Sequence, residues 1–505
     1  MKTALQWGRF FAIKKKVMVF SDLFFLFVFL PAFALGYLLA TWIDKRSGKG
    51  EALTSFRWRN TLLVIFSLVF YAWGEPLYVL LLIASVIVNY FIGLAIDHHD
   101  TGRRKTALVI GLVFNIGILA VFKYANFFVA NLNSILNQLG IAQSSILNDH
   151  LSLRLPIGIS FYTFQSISYL LDVYRHTTPV QRNFKNLLLY ISMFPQLIAG
   201  PIVRYGTVAE EITARNVDAH DLAEGMMRFL RGLGKKVILA NQLSEVSSQL
   251  LTGAGLASLS TAGAWIGIIA FTFQIYYDFS GYSDMAIGIG RCLGFHFNEN
   301  FDHPYCCNSI TDFWRRWHIS LGSFFRDYLY IPMGGNRRHQ ALNIMVVWML
   351  TGFWHGASWN FLLWGLFYGV IIMTEKYTLL RVAKRLPAWI LHLYSLFLVV
   401  VGWGIFYFED FGQMTHFFRA FFGGAEAFSD FAAVNVLGTY GWLWVAAVLF
   451  CLPIRDWLNQ RTASWTDKHP RMRVLARSIL AFLLLTVSVA LLVGATNNAF
   501  LYTRF

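Results

Sequence analysis

Charged residues and cysteines are scarce in this sequence. Only 14% of its 505 residues are Asp, Glu, Lys or Arg, whereas soluble domains carry about 25%. The four cysteines are too few and too scattered for a disulfide framework, since they stand at Cys292, Cys306, Cys307 and Cys451. Strict alternation of apolar and polar residues is also missing, which argues against a membrane β-barrel.

Long apolar runs occupy most of the chain instead. Hydrophobic residues make up 56% of it, and they recur in runs of about 18 to 25 residues, the length that crosses a ~30 Å hydrocarbon core. The runs predict an all-α, polytopic integral membrane protein with roughly 10 to 12 transmembrane helices, plus re-entrant and interfacial helices. Predicted spans lie at about 20–43, 60–73, 77–96, 107–128, 262–290, 360–379, 387–408, 437–453 and 474–495, with further apolar runs from Pro156 and Ile344.

The formal net charge of +15 fits a membrane protein. Lys and Arg stand in short clusters between the apolar runs, where the positive-inside bias places them. Such clusters attract anionic lipid or a phosphate-bearing substrate, so we expect contact with membrane lipid and no nucleic-acid binding. Residues 1–17 and the loop after the first span each hold five basic residues, which leaves the orientation tied. Translation from Met18 would break the tie and place the N-terminus outside.

Three segments depart from straight spanning helices. Residues 132–152 are polar and predict an irregular surface loop. Within 186–205, Pro195 and the Gly200-Pro201 pair interrupt the apolar run and predict a re-entrant or kinked element facing a central cavity. The basic, amphipathic stretch at 228–236 predicts a helix on the inner leaflet.

Polar residues also occur inside predicted spans. Asn89 and Asn115 are expected to hydrogen-bond between helices. A denser group, comprising Asp278, Ser280, Tyr282 and Asp284, interrupts the span at 262–290. One interpretation is a helix–loop–helix in which Asp and Ser act as caps, and the other is the polar wall of a substrate channel. Both stay open at this point.

His355 is hard to explain by packing alone, because it follows an apolar run at membrane depth, where an ionisable side chain is costly and often functional. Gly356 beside it allows a ligand to approach closely. Burial favours a neutral imidazole, which is a usable general base for a hydroxyl or thiol. A histidine that hydrogen-bonds between two helices is the other interpretation, and position alone does not separate the two.

His318 lies among apolar residues spaced three and four apart, at Trp314, Trp317, Leu321 and Phe325. This spacing predicts an amphipathic helix. The simplest interpretation is an interfacial helix anchored by Trp and Arg, in which His318 has no special role.

The turn at 334–338 contains Gly334, Gly335 and Arg337. It fits a phosphate site, since arginine binds phosphate oxygens bidentately, and it fits a basic cytoplasmic turn equally well. No metal site is predicted, because His303, Cys306 and Cys307 lack the paired spacing of zinc ligands.

Several long motifs in one order resemble the membrane-bound O-acyltransferase (MBOAT) family, and in particular its bacterial alginate O-acetylation branch. They are FWRRWHISL at 313–321, RDYLY at 326–330, GGNR at 334–337 and WHGA at 354–357, with further matching stretches at 18–21, 156–162, 172–175, 198–201 and 278–286. The resemblance covers about residues 18 to 410.

This resemblance implies a ring of helices around a tunnel that crosses the membrane. It also implies one membrane domain at 18–505, with a catalytic core at about 150–380, after a basic extension at 1–17. His355 matches the catalytic histidine of the family and His318 the second histidine of the bacterial branch. The tunnel would be lined by Asp278, Ser280, Tyr282, Asp284, Trp314 and Trp354, and Arg315, Arg316 and Arg337 are candidates to bind the phosphates of the donor.

The implied reaction is acyl transfer, with His355 as general base and His318 positioning substrate or stabilising developing charge. Acetyl-CoA is expected as a donor substrate ahead of an acyl carrier protein, with no permanently bound cofactor. The protein would reside in the bacterial inner membrane and pass the acetyl group to a periplasmic partner that decorates a polysaccharide.

Two alternatives without acyl transfer are a transporter or flippase for a lipid-linked sugar and a scaffold for a periplasmic acetyltransferase. Broken helices and polar residues at mid-membrane are common in transporters. The absence of an internal repeat and the presence of the two histidine motifs favour the enzyme.

Overall fold

The computed structural model describes residues 18–47, 56–98, 100–140, 153–379, 385–495 and 500–501. Within these ranges the chain is helical, and its one strand-like pairing is an antiparallel bridge between Phe301 and Trp317. The all-α prediction is therefore confirmed. The basic extension at 1–17 lies outside the described residues, so its proposed influence on orientation stays a prediction.

Two compact units make up the chain. Unit 1 contains Met1–Phe122, Leu153–Leu222 and Gly290–Phe297, and unit 2 contains Lys123–Ser152, Ala223–Ile289 and Asn298–Phe505. The expected single membrane domain at 18–505 stays a prediction.

The helices of unit 1 follow a π-helical turn at Phe25–Phe29. They are α1 (Leu30–Ser47), α2 (Arg57–Gly74), α3 (Tyr78–Ile96), α4 (Thr101–Gln138), α5 (Ile159–Tyr174), α6 (Phe184–Ser192), α7 (Phe194–Leu197) and α8 (Tyr205–Thr213). From Lys123 onward, α4 belongs to unit 2.

Hydrogen bonds between buried asparagines connect α3 and α4. Each of Asn89 and Asn115 donates its side-chain N–H to the side-chain oxygen of the other, at 3.1 and 2.7 Å. The predicted interhelical role of these residues is confirmed.

The predicted break within 186–205 is also confirmed. Helix α6 ends at Ser192, the short α7 follows, and residues 201–204 are not helical. Pro195 stands in the first turn of α7, where its missing N–H costs no helical hydrogen bond. Whether this element faces a cavity stays a prediction.

Residues 132–138 correct another expectation, because they continue α4 rather than form a loop. No Pro or Gly interrupts the chain between Gly117 and Gly140, and Gly140 adopts a φ of +67°, which suits a residue that follows a helix. Residues 141–152 lie outside the described ranges.

The helices of unit 2 begin with α9, which starts in unit 1. They are α9 (Ala219–Gly234), α10 (Asn241–Leu251), α11 (Gly253–Ala257), α12 (Thr261–Cys292), α13 (Ile310–Arg316), α14 (Ile319–Phe325), α15 (Gln340–His355), α16 (Trp359–Thr374), α17 (Ala388–Tyr407), α18 (Phe411–Phe421), α19 (Phe431–Thr439), α20 (Gly441–Cys451), α21 (Ile454–Lys468) and α22 (Pro470–Val493). Shorter helical turns lie at Lys235–Ala240, Pro304–Cys306, Arg326–Tyr330 and Glu375–Leu379.

Among the described residues, five helical stretches are long and apolar enough to cross a membrane by themselves. They are Phe25–Arg46, Tyr78–Ile96, Thr101–Gln138, Ala388–Tyr407 and Pro470–Val493. Helices α19 and α20, bent by 66°, qualify as a sixth when taken together. This is fewer than the predicted crossings, because several apolar runs fold as shorter helices, such as α5 and α15 with 16 residues each.

Helices α9 and α12 cross in antiparallel fashion at two pairs of glycines. A Cβ on Gly232 would lie 2.5 Å from the carbonyl oxygen of Gly281, and one on Gly288 would lie 2.6 Å from that of Gly225. The two backbones therefore touch directly, as small residues permit. The predicted amphipathic helix at 228–236 is present as the end of α9, while its place on the inner leaflet stays a prediction.

Helices α15 and α16 form a hairpin with a three-residue connection at 356–358. Glycines allow their close approach, because a Cβ on Gly352 would overlap the carbonyl oxygen of Phe361 and one on Gly365 would overlap that of Trp348. The hairpin places His355, the last residue of α15, at its tip.

We expect Gly365→Ala to destabilise the protein, because the new methyl group would force α15 and α16 apart. Overpacking of this kind costs about 1–3 kcal/mol. Thermal unfolding of the detergent-solubilised protein, followed by loss of the monodisperse gel-filtration peak, measures the effect.

Gly438→Ala is the matched control, since a Cβ at Gly438, within α19, meets no atom within 4 Å. Equal unfolding temperatures for Gly365→Ala and Gly438→Ala would contradict the close packing of the hairpin.

Candidate active site

His355 ends α15, and its imidazole is buried with an exposed fraction of 5%. Three aromatic rings surround it at near-perpendicular angles: those of Trp354, Trp364 and Phe406, with centroids at 4.8, 5.0 and 5.3 Å. Trp364 belongs to the other helix of the hairpin and Phe406 to α17. The apolar environment that the sequence predicts for this histidine is present.

His318 is buried to 2% exposure at a break between two short helices. Helix α13 ends at Arg316, α14 begins at Ile319, and the backbone of His318 lies in the left-handed region with a φ of +45°. The predicted amphipathic helix from Trp314 to Phe325 is therefore wrong as one continuous helix. A non-glycine residue in this conformation persists only where its surroundings hold it, and such residues cluster at functional sites.

Asn300 provides the contacts that hold His318. Its backbone oxygen accepts from the N–H of Ile319 at 3.0 Å. Its side-chain oxygen pairs with Nδ1 of His318 at 3.1 Å and also accepts from the N–H and hydroxyl of Ser320, at 3.2 and 2.9 Å. These bonds start α14 directly after the histidine and explain why the helix breaks there.

The amide of Asn300 also fixes the tautomer of His318. The backbone N–H of Ser320, which can only donate, lies 3.2 Å from the side-chain atom that faces His318 and so identifies that atom as the oxygen, while Nδ2 contacts the hydroxyl of Ser283 at 3.0 Å. Since a carbonyl oxygen can only accept, Nδ1 of His318 carries the proton. In the neutral imidazole, Nε2 is then a hydrogen-bond acceptor.

Trp354 contacts both histidines. Its ring centroid lies 4.8 Å from that of His355 and 6.0 Å from that of His318. The structure therefore brings together the two histidines that the sequence places 37 positions apart (355 minus 318). Trp314 packs against Trp364, the tryptophan that contacts His355, and the centroids of the two tryptophan rings are 5.3 Å apart.

The polar segment of α12 reaches this site through Phe279 and Ser283. The ring of Phe279 packs edge-on against His318 at 4.7 Å, and Ser283 contacts Asn300. Helix α12 is continuous from Thr261 to Cys292, so the helix–loop–helix interpretation is wrong.

The two carboxylates of this segment form ion pairs within unit 2. Asp278 lies 2.6 Å from the ammonium of Lys236 and accepts from the backbone N–H of Leu501 at 2.7 Å. Asp284 lies between Arg228 and Lys235, at 2.8 and 2.7 Å. Ser280 and Tyr282 are buried beside them. A channel-lining role for Asp278, Ser280, Tyr282, Asp284, Trp314 and Trp354 stays a prediction.

The three arginines proposed for donor phosphates lie near the surface. Arg315 and Arg337 are exposed. Arg316 is half-buried and pairs with Asp312 at 3.0 Å, and the hydrogen bond that it donates to this carboxylate raises the pKa of the guanidinium. Arg316 is thus engaged within the protein, whereas the exposed side chains of Arg315 and Arg337 are accessible to an anion.

Glu375 anchors the start of α13 although it follows α16 in sequence. Its buried carboxylate accepts from the backbone N–H groups of Ile310 and Thr311 at 2.6 and 2.8 Å, and from the hydroxyl of Thr311 at 2.7 Å. A carboxylate at a helix N-terminus accepts hydrogen bonds from N–H groups that lack partners within the helix. Its negative charge is also favourable at the positive end of the helix dipole.

Sequence reasoning missed Asn300, Glu375 and Lys123. Lys123 is buried within a predicted span and donates to the carbonyl oxygen of Trp354. A lysine inside an apolar run is a visible signal, as is the isolated Glu375. Asn300 gives no such signal, because its partners are far away in the sequence.

Comparison with known proteins identifies the family. The sequence model of the family described as "MBOAT, membrane-bound O-acyltransferase family" matches residues 180–411, which include both histidines. The protein named "Probable alginate O-acetylase AlgI" from Pseudomonas aeruginosa is 40% identical over 451 residues, which cover 88% of this chain and 83% of that protein.

Two further relatives are named for different activities. The "Peptidoglycan O-acetyltransferase" of Helicobacter pylori is 36% identical over 391 residues, 71% of each chain. The "Teichoic acid D-alanyltransferase" of Streptococcus thermophilus is 27% identical over 232 residues, which cover 42% of this chain and 55% of that protein.

The family assignment agrees with the helices long enough to span a membrane and with the motifs around the two histidines. This multi-pass membrane protein is an acyltransferase and belongs to the membrane-bound O-acyltransferase family.

Proposed function

We propose that this protein transfers an acetyl group from a cytoplasmic thioester for the O-acetylation of a cell-envelope or extracellular polysaccharide, with His355 as general base. The observation that carries the proposal is the pair of buried histidines that both contact Trp354. The relatives named for alginate and peptidoglycan support a polysaccharide as the final acceptor.

The proposed step begins with a neutral imidazole at His355. The imidazole removes the proton of an acceptor hydroxyl, and the oxygen attacks the thioester carbonyl carbon. The tetrahedral intermediate then breaks its carbon–sulfur bond, and the departing thiolate takes the proton from the imidazolium. An ester and a free thiol result, and the histidine returns to its starting state.

His318 would position the substrate. Its Nδ1–H is directed at Asn300, so Nε2 has no proton to donate while the ring is neutral, and it can accept a hydrogen bond from a substrate group other than the hydroxyl whose single proton His355 removes. This tautomer favours a positioning role over stabilisation of an oxyanion. The aromatic rings around His355 would exclude bulk water and protect the thioester from hydrolysis.

Acetyl-CoA is the proposed donor, ahead of an acyl carrier protein, and the exposed side chains of Arg315 and Arg337 are suited to its phosphates. We place the protein in the bacterial inner membrane, where the donor is on the cytoplasmic side and the polymer is outside. A periplasmic partner would receive the acetyl group and transfer it to the polysaccharide.

His355→Ala should abolish acyl transfer, since loss of a general base typically costs about 10² to 10⁴ in rate. His318→Ala should lower the rate less. The measurement is release of CoA from radiolabelled acetyl-CoA by the purified protein in nanodiscs, together with acetyl ester content of polysaccharide in cells that produce each variant.

Equal gel-filtration profiles would establish that the variants are folded. Polysaccharide acetylation at the wild-type level in cells with His355→Ala would contradict the proposed mechanism and favour the transporter or scaffold. A wild-type protein that uses an acyl carrier protein and ignores acetyl-CoA would contradict only the proposed donor.

Asn300→Ala should reduce the rate of acyl transfer by about 10-fold or more, because His318 would lose the acceptor that fixes its tautomer and orientation. The donor KM should change little. The measurement is the initial rate at varied acetyl-CoA concentration, with the amount of folded protein matched.

Asn115→Ala serves as the comparison, because it also removes a buried asparagine but one that bonds to Asn89 and Gly111. It should lower stability without changing the rate per folded molecule. Equal rates for Asn300→Ala and Asn115→Ala would argue against a role for Asn300 at the site.

A further inference from the structure

Lys123 is a buried lysine that the proposed mechanism does not use. It lies in α4, within a helix long and apolar enough to cross a membrane, and its exposed fraction is 8%. Burying an ammonium group at such a position is costly unless it has a partner. Its Nζ donates to the backbone carbonyl oxygen of Trp354 and lies 5.5 Å from the centroid of the Trp354 ring.

Tyr124, the next residue, contacts the preceding carbonyl. Its hydroxyl donates to the backbone oxygen of Phe353 at 2.8 Å. Its ring also stacks on that of Phe353, with centroids 3.9 Å apart and an angle of 6° between the planes. Two consecutive residues of α4 therefore bind two consecutive residues of α15.

These contacts are made to backbone carbonyls of α15 that lack partners within the helix. The last four carbonyls of a helix lack partners within it, and α15 ends at His355, so Phe353 and Trp354 are among those residues. The chain becomes extended at Gly356 and does not continue the helix. Lys123 and Tyr124 thus cap the end of α15 from another helix.

We propose that Lys123 and Tyr124 are positioning residues for His355. The proposal rests on the proposed function, since it takes His355 as the base. The carbonyl that Lys123 binds belongs to the residue directly before this histidine. Without the ammonium and the hydroxyl, the last turn of α15 would fray, and the imidazole would leave the position between Trp364 and Phe406 from which it reaches the acceptor hydroxyl.

The matched control lies further along the same helix. Asn131 accepts from the indole N–H of Trp359 at 3.0 Å, so it also joins α4 to the hairpin, but to α16 and beyond the histidine. Asn131→Ala therefore removes a contact between α4 and the hairpin without freeing a carbonyl of the last turn of α15.

The test compares Lys123→Met, Lys123→Arg, Tyr124→Phe and Asn131→Ala in the full-length protein in nanodiscs. Lys123→Met should lower kcat for CoA release from acetyl-CoA by about 10- to 100-fold with little change in KM, because a misplaced base affects the chemical step. Tyr124→Phe should lower kcat by about 2- to 10-fold, as expected for the loss of one neutral hydrogen bond. Lys123→Arg should recover part of the rate, and Asn131→Ala should match the wild type.

Hydrogen–deuterium exchange provides a second measurement that does not depend on the donor. Amide exchange in the peptide covering residues 352–357 should accelerate in Lys123→Met and Tyr124→Phe, and should be unchanged in Asn131→Ala. If Lys123→Met fails to fold, Tyr124→Phe supplies both measurements.

Wild-type exchange at 352–357 in Lys123→Met and Tyr124→Phe would overturn the proposal, as would an equal loss of kcat in Asn131→Ala. Failure of the proposed function gives a different result, in which His355→Ala retains full activity while the exchange at 352–357 still depends on Lys123.

Discussion

A buried polar group needs a hydrogen-bond partner within the protein. Near the two histidines, this requirement determines which residues contact the ends of the helices. Asn300 binds the ring of His318 through its side chain and the first N–H of the next helix through its backbone oxygen, so one residue holds both the histidine and the backbone break at which it lies. Lys123 and Tyr124 bind the last carbonyls before His355. Each histidine therefore lies at a helix end whose backbone groups are satisfied by residues from elsewhere in the chain.

Features that depend on neighbouring residues in the sequence could be predicted. The apolar runs indicated helices such as α3, α17 and α22 close to their observed bounds, and the environment of His355 followed from its neighbours. The break at His318 could not be predicted from the spacing of Trp317 and Leu321, which is that of a continuous helix. A distant residue, Asn300, competes for the backbone there, and the bridge between Phe301 and Trp317 holds the chain extended.

The helix–loop–helix interpretation of the polar segment of α12 is wrong for the related reason that distant charges decide whether the helix continues. Asp278 and Asp284 look like helix breakers when only their neighbours in the sequence are considered. The glycine contacts between α9 and α12 bring Arg228 and Lys235 to Asp284, while Lys236 meets Asp278. With their charges matched, both carboxylates are compatible with an uninterrupted helix.

Through Glu375, the length of α16 also sets the separation between His355 and His318. The helix starts at Trp359, four positions after His355, and the carboxylate of Glu375 just past its end holds α13, which leads directly to His318. One residue inserted into α16 would shift Glu375 by about 1.5 Å along the axis and turn it by about 100°, out of reach of the N–H groups of α13. The length of α16 is therefore fixed by the separation of the two histidines, and this helix should accept changes of side chain far more readily than any insertion or deletion.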